Sequence, residues 1–232
     1  MRKILTIIIL FLTIIQAENY RYSISGGLIG KVAEAKVKHS IKGSSYRIHI
    51  DVIAKGVAKM LSHNLREQHS SYGSIKHGEY YAKEYKIEKT YKDIHFIRRY
   101  IFDYGHKKII KISTKWKKGK KLYEHKERLK YFAHNDILTL YHNIMKYKKK
   151  NGAGSYTIKL AGAEREAGKL TFRLPPGKTF YGLESIKLFL RHSYFAKGQG
   201  GLTMGIDAKG IVKKGILDNV KLLGEVSLKR IK

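Results

Sequence analysis

Pro175-Pro176-Gly177-Lys178-Thr179 ends like a phosphate-binding loop, in which backbone amides cradle phosphate and the lysine neutralises it. The full loop needs a glycine where Phe172 stands, inside a strand pattern, so the segment reads as a rigid turn. The Gly26, Gly27 and Gly30 cluster opens no helix and also reads as a turn. Eleven histidines raise metal chemistry, yet His63 with His69 and His134 with His142 have no evident third ligand, and no metal or cofactor is expected. There is no Gly-x-Ser-x-Gly elbow and no close acidic pair of the glycosidase kind. The chain has no cysteine, which removes thiolate nucleophiles, cysteine metal sites and disulfides. With no catalytic motif, the chemistry on offer is binding rather than turnover.

Two residue sets carry that binding chemistry. The first is aromatic and apolar. Tyr20, Tyr22, Tyr46 and Tyr156 lie on the apolar register of their strands, and an amphipathic ring suits a core with a polar rim. Together with Leu138, Tyr141, Met60 and Met145 they are the expected lining of a cavity for an acyl chain or other amphiphile. The second is cationic. Lys plus Arg number 48 against 18 Asp plus Glu, a formal charge of +30, which favours anionic partners. Lys111, Lys115 and Lys117 alternate along one strand and are expected on an outer face that meets anionic envelope polymer or lipid headgroups. Dispersed lysines also serve simply as a solvated surface.

The elements that must position these groups are mostly strands. Tyr20, Tyr22 and Ile24 alternate with polar residues, as do Ala33, Ala35 and Val37, then Tyr46, Ile48, Ile50 and Val52. This predicts a three-stranded antiparallel meander. Gly56 breaks it, and a short helix is expected near 57–64. Strands follow over Tyr80–Glu88, Ile94–Phe102 and Lys108–Trp116, then Leu122–Phe132. The C-terminal third adds runs at Tyr156, Leu170, Ile186 and Leu202, a turn at Asp207–Gly210, and a last strand at Val226 and Leu228. Residues 135–149 form the one strong helix, with Ile137, Leu138, Tyr141, Ile144 and Met145 at three-and-four spacing. Asn135 or Asp136 can cap it, and Asn151-Gly152 stops it. About ten strands with one apolar face each must curl or close. The predicted fold is mainly β: an antiparallel curved sheet or half-open barrel wrapped around the helix.

Residues 1–17 have the pattern of a secretory signal peptide: Arg2 and Lys3, the apolar run Ile4–Ile15, and Ala17 at the cleavage position. The run is short for a membrane span, though a retained anchor is the alternative reading. Export to the periplasm is expected, with residues 18–232 as one β-rich domain and nucleic acid excluded as a partner by compartment.

Several of these stretches resemble the bacterial exported family named only as domain of unknown function 3108. They are YRYSISGGLIGKVAEAKV, the Gly56-Val57 segment leading to Tyr72-Gly73, Asn135 to Tyr141, and the ending GLTMGIDAKGIVKKGILDNVKLLGEVSLKRI with Gly224. The resemblance implies an envelope protein shaped like the half-open barrels of lipoprotein carriers, with no catalytic residues to carry over. A lipid-like ligand or lipidated partner inside the curved sheet is the functional expectation.

Overall fold

The computed structural model describes residues 19–163, 168–191, 195–207, 211–221 and 223–231. The expected signal peptide and positions 208–210 of the Asp207–Gly210 turn lie outside them.

The period-two runs pair as predicted. β1 (Asn19–Gly26), β2 (Gly30–Lys42) and β3 (Ser45–Ala54) form the antiparallel meander, with Tyr22, Ala35 and Val52 in register on one face. The short helix α1 (Gly56–Leu61) follows. β4 (Arg66–Lys76), β5 (Glu79–Tyr91), β6 (Ile94–Asp103), β7 (Lys108–Lys117) and β8 (Lys120–Arg128) continue the sheet by hairpins. β8 ends at Arg128, four residues short of the expected Phe132. The two-residue β9 (Asn135–Asp136) leads into α2 (Ile137–Asn151). Six more strands follow among the described residues: β10 (Gly154–Ala161), β11 (Lys169–Leu174), β12 (Glu184–Arg191), β13 (Gln199–Ile206), β14 (Val212–Val220) and β15 (Gly224–Arg230).

All fifteen strands belong to one sheet, in the order β8-β7-β6-β5-β4-β3-β2-β1-β15-β14-β13-β12-β11-β10-β9. β1 joins the two wings by pairing with both β2 and β15. Fifteen strands exceed the roughly ten that an open twisted sheet carries without curling. This sheet curls around α2 but does not close.

Directly paired residues share a face of the sheet, and alternate residues swap faces. The inner face therefore follows from the register, starting with Tyr22 and Ile24. It runs through Ile50 and Val52 on one wing and through Val226, Leu217, Leu202, Leu188 and Phe172 on the other, all buried. Against it α2 presents Leu138, Tyr141 and Ile144, each at most 3% exposed. Thr139 and Leu140 are buried too, so the helix is enclosed more broadly than a single stripe.

The hairpin ends define two rims. One holds the ends of β1, β3, β5 and β7, and with them α1 and the turns at Lys92 and Lys118. On the opposite rim Lys146 near the end of α2 donates to the His77 carbonyl.

Candidate functional site: the polar inner face of the β4–β8 wing

Crossing from β3 to β4, the interior changes from apolar to polar. Ile48, Ile50 and Val52 stand opposite Ser71, His69 and Glu67, none of which is exposed to solvent. Buried polar groups need partners, and each of these has them. The Glu67 carboxylate meets Lys89 Nζ at 3.0 Å and His69 Nε2 at 2.8 Å, while His69 Nδ1 lies 2.5 Å from the Tyr85 hydroxyl. Burial drives the Glu67 carboxyl upward, but Lys89 and His69 outweigh it, and its pKa ends below the ordinary value. Burial also pushes His69 down, more than Glu67 pulls it up. His69 is thus a neutral imidazole: Nε2–H donates to Glu67, and Nδ1 accepts from Tyr85. Lys89, not His69, supplies the positive charge. The Tyr85 ring stacks on Tyr100 at 5.6 Å.

A second polar group sits at the start of α2. Asp136 Oδ1 accepts from the Leu138 and Thr139 amides at 2.6 and 2.9 Å, and Thr139 Oγ1 accepts from the Asp136 amide. This reciprocal cap resolves the Asn135-or-Asp136 alternative in favour of Asp136. Oδ2 accepts from Ser71 at 2.7 Å, and since Ser71 has one proton, Tyr46 donates to Ser71 at 3.0 Å. Burial without a cationic partner raises the Asp136 pKa to about 6, against the opposing pull of Ser71 and the helix amides.

The same helix seals the seam where β5 lacks a strand neighbour. β6 pairs with β5 only over Glu84–Tyr91. Beyond that, Asn143 takes the neighbour's place. It accepts from the Tyr80 amide at 2.8 Å and donates to the Tyr80 carbonyl at 2.9 Å. His142 stacks on Tyr80 at 4.4 Å, with His39 at 4.8 Å. Burial lowers the His142 pKa to about 3. His142 Nε2 and the Tyr141 hydroxyl have no hydrogen-bond partner among the described residues.

Past β5 the sheet extends beyond the helix. By register its inner face carries Ile87, Arg98 and Ser113 in one row, and Lys89, Phe96 and Lys115 in the next. Lys111, opposite Tyr100, meets Glu127 at 2.7 Å. The Arg98 guanidinium lies 5.2 Å from the Phe96 ring centre. At the rim, Tyr91, Ile94 and Lys117 join Lys92, Asp93 and Lys118 around an open cleft of about 400 Å³.

This overturns one expectation. Lys111, Lys115 and Lys117 lie on the inner face, with buried Ile109 and Ser113, whereas Ile110, Ile112, Thr114 and Trp116 face outward. Alternation divides a strand into two faces but does not say which one turns inward. The outer side holds ion pairs instead, including Arg99 with Glu84 and His95 with Glu88.

Of the expected lining residues, Tyr20, Tyr22, Tyr46, Leu138 and Tyr141 are buried in the interior, and Met145 packs half-buried against it. Tyr156 is half-buried, its hydroxyl within 2.8 and 3.0 Å of the Asn151 and Gly152 carbonyls at the helix stop. Met60 does not join them. It is 78% exposed on α1, whose one buried side chain is Ala58. Sequence reasoning missed Glu67, Ser71, Lys89 and Arg98, and it weighed His69 only as a metal ligand. The available signal was the polar alternation Glu67-x-His69-x-Ser71 beside Tyr85 and Ile87. Among the described residues no three His, Asp or Glu side chains gather as a metal cradle.

No protein-family profile matches this chain, and no curated protein matches it by sequence. Among solved structures it is similar to the crystal structure of a beta-barrel-like protein of domain of unknown function DUF1849 from Brucella abortus. The TM-score is 0.57 at 10% identity, covering 94% of this chain and 98% of that one. At that identity the likeness shows the fold alone: a β-rich, barrel-like sheet that curls without closing.

Proposed function

We propose that this protein is a non-enzymatic cell-envelope protein that binds an anionic amphiphile on the inner face of the β5–β8 wing. One observation carries the reading. Beyond α2 the inner face sets cations beside apolar side chains: Lys115 opposite Phe96, and Lys117 opposite Ile94 at the Tyr91 cleft. A ligand's charged group would lie among the lysines and its apolar part along Phe96, Ile94 and Tyr91. Lys115 is half-buried and Lys117 exposed at the cleft, so both ammonium groups are open to an incoming anion. The space under the helix is taken by Leu138, Tyr141 and Ile144, so the ligand is assigned to the wing rather than to the helix–sheet interior. The envelope setting rests on the pattern of residues 1–17 and on the resemblance to the 3108 family.

Native mass spectrometry of gently extracted protein, with an organic extract of the same sample, tests this. An anionic lipid-like mass that is lost from Lys115→Glu/Lys117→Glu supports the proposal. A ligand retained by that folded variant, or an unliganded protein that binds no alkyl phosphate, overturns it.

A further inference from the structure

α1 joins the core through Ala58 alone. α1 exposes Val57, Met60 and Leu61 at 52%, 78% and 58%, and Ile29, in the turn before β2, is 39% exposed. The two segments are neighbours: Lys55 N–H bonds the Val32 carbonyl, and a side chain at Gly56 would press on the Lys31 carbonyl at 2.9 Å. Around them the rim carries Lys31, Lys55, Lys59, Lys92 and Lys118. The nearby acids are Glu34, which already pairs with Lys31 and Lys55, Asp93, and Glu225 beside the Gly27–Ile29 turn. Four large apolar side chains ringed by lysine are costly to hold in water.

We propose that this rim is a membrane-contact surface, with α1 and Ile29 dipping into the headgroup region of an anionic phospholipid bilayer. The small size of the patch and the charge select that occupant. Three of the apolar residues stand on one six-residue helix and Ile29 in the adjoining turn, far fewer than the roughly 20–30 residues a side of a stable protein interface. A few apolar side chains flanked by lysines are the pattern of interfacial anchoring, in which burial and attraction to anionic headgroups add. The cationic excess of the whole chain, +30, strengthens the same attraction. This surface adjoins the ligand cleft and shares Lys92 and Lys118 with it, but its test reads a label on α1, apart from ligand binding at Phe96 and Lys115.

The absence of cysteine permits single-site labelling. An environment-sensitive fluorophore is attached at Met60→Cys and, on the opposite rim, at Tyr181→Cys, where the native side chain is 66% exposed. Each labelled full-length protein is mixed with phosphatidylcholine vesicles with or without phosphatidylglycerol. The Met60 label is expected to shift to the blue only with phosphatidylglycerol, and less at high salt, while the Tyr181 label stays unchanged. Val57→Ser/Leu61→Ser in the Met60→Cys background should weaken the response about tenfold. These exposed sites leave the thermal midpoint in place as the folding control. No shift at Met60, an equal shift at Tyr181, or an equal shift with pure phosphatidylcholine overturns the proposal.

Discussion

Replacing Asp136 with asparagine isolates the cost of keeping a charge at the start of α2. The side chain is fully buried, and its pKa rises from 3.8 to about 6. A shift of about two units corresponds to about 3 kcal/mol of preference for the neutral form. Above about pH 6 the carboxylate is charged in both the folded and unfolded chains, and the folded state bears that penalty in full. As pH falls from about 6 to 3.8, the folded chain takes up a proton that the unfolded chain does not, so this group then adds stability. Asparagine caps helices about as well as aspartate, and Ser71 can reverse its hydroxyl to accept from the new amide. Asp136→Asn should therefore gain up to about 3 kcal/mol near pH 8, with the gain vanishing near pH 4. Asp136→Ala, which loses the cap and strands the Ser71 hydroxyl, should fall below Asp136→Asn by about 1–3 kcal/mol at both pH values. Urea denaturation followed by Trp116 fluorescence provides the assay. Parallel pH profiles for wild type and Asp136→Asn would refute the reasoning.

Acid should weaken the fold through His142 and His69. Both are held neutral, so the unfolded chain gains protons first as pH falls below about 6.5, and His142→Phe should flatten that loss in denaturation profiles between about pH 6.5 and 4. Asn143→Ala removes both bonds to the Tyr80 backbone. It should cost about 2–4 kcal/mol and speed hydrogen exchange at the Tyr80 amide, while Asn143→Ala with an unchanged Tyr80 exchange rate would contradict its role. At the β4–β5 bulge, a Cβ on Gly73 would lie 1.9 Å from the Tyr81 carbonyl oxygen. Gly73→Ala should therefore lower stability by about 3 kcal/mol or more, read as a drop in thermal midpoint.

The sequence disclosed the fold wherever one face of a strand was plainly apolar. β1 to β3 and the helix over Ile137–Asn151 were legible on periodicity alone, and Gly152 (φ +80°) ends the helix as its position suggests. β4 was not legible, because both of its faces are polar. Its inward residues Glu67, His69 and Ser71 are satisfied by Lys89, Tyr85 and Asp136, distant partners that no local window contains. β14 was missed because the Gly215 gap and the register shift between Leu217 and Val220 break its alternation. On β7 the two faces were separated correctly but assigned the wrong way round, since only pairing with Tyr100 and Phe102 decides which one turns inward. The same pairing moved the lysines from an expected outer surface to the candidate site. Met60 was expected in a cavity lining, and its exposure follows from a helix too short to bury more than Ala58.

Backbone amide shifts recorded by NMR on titration with an alkyl phosphate test the central claim most directly, because the probe carries both a charge and a chain. The account predicts changes clustered at Tyr91, Ile94, Phe96, Lys115 and Lys117, weak or absent with the matching uncharged alcohol. Changes centred on β12–β14, or equal responses to the phosphate and the alcohol, would contradict it.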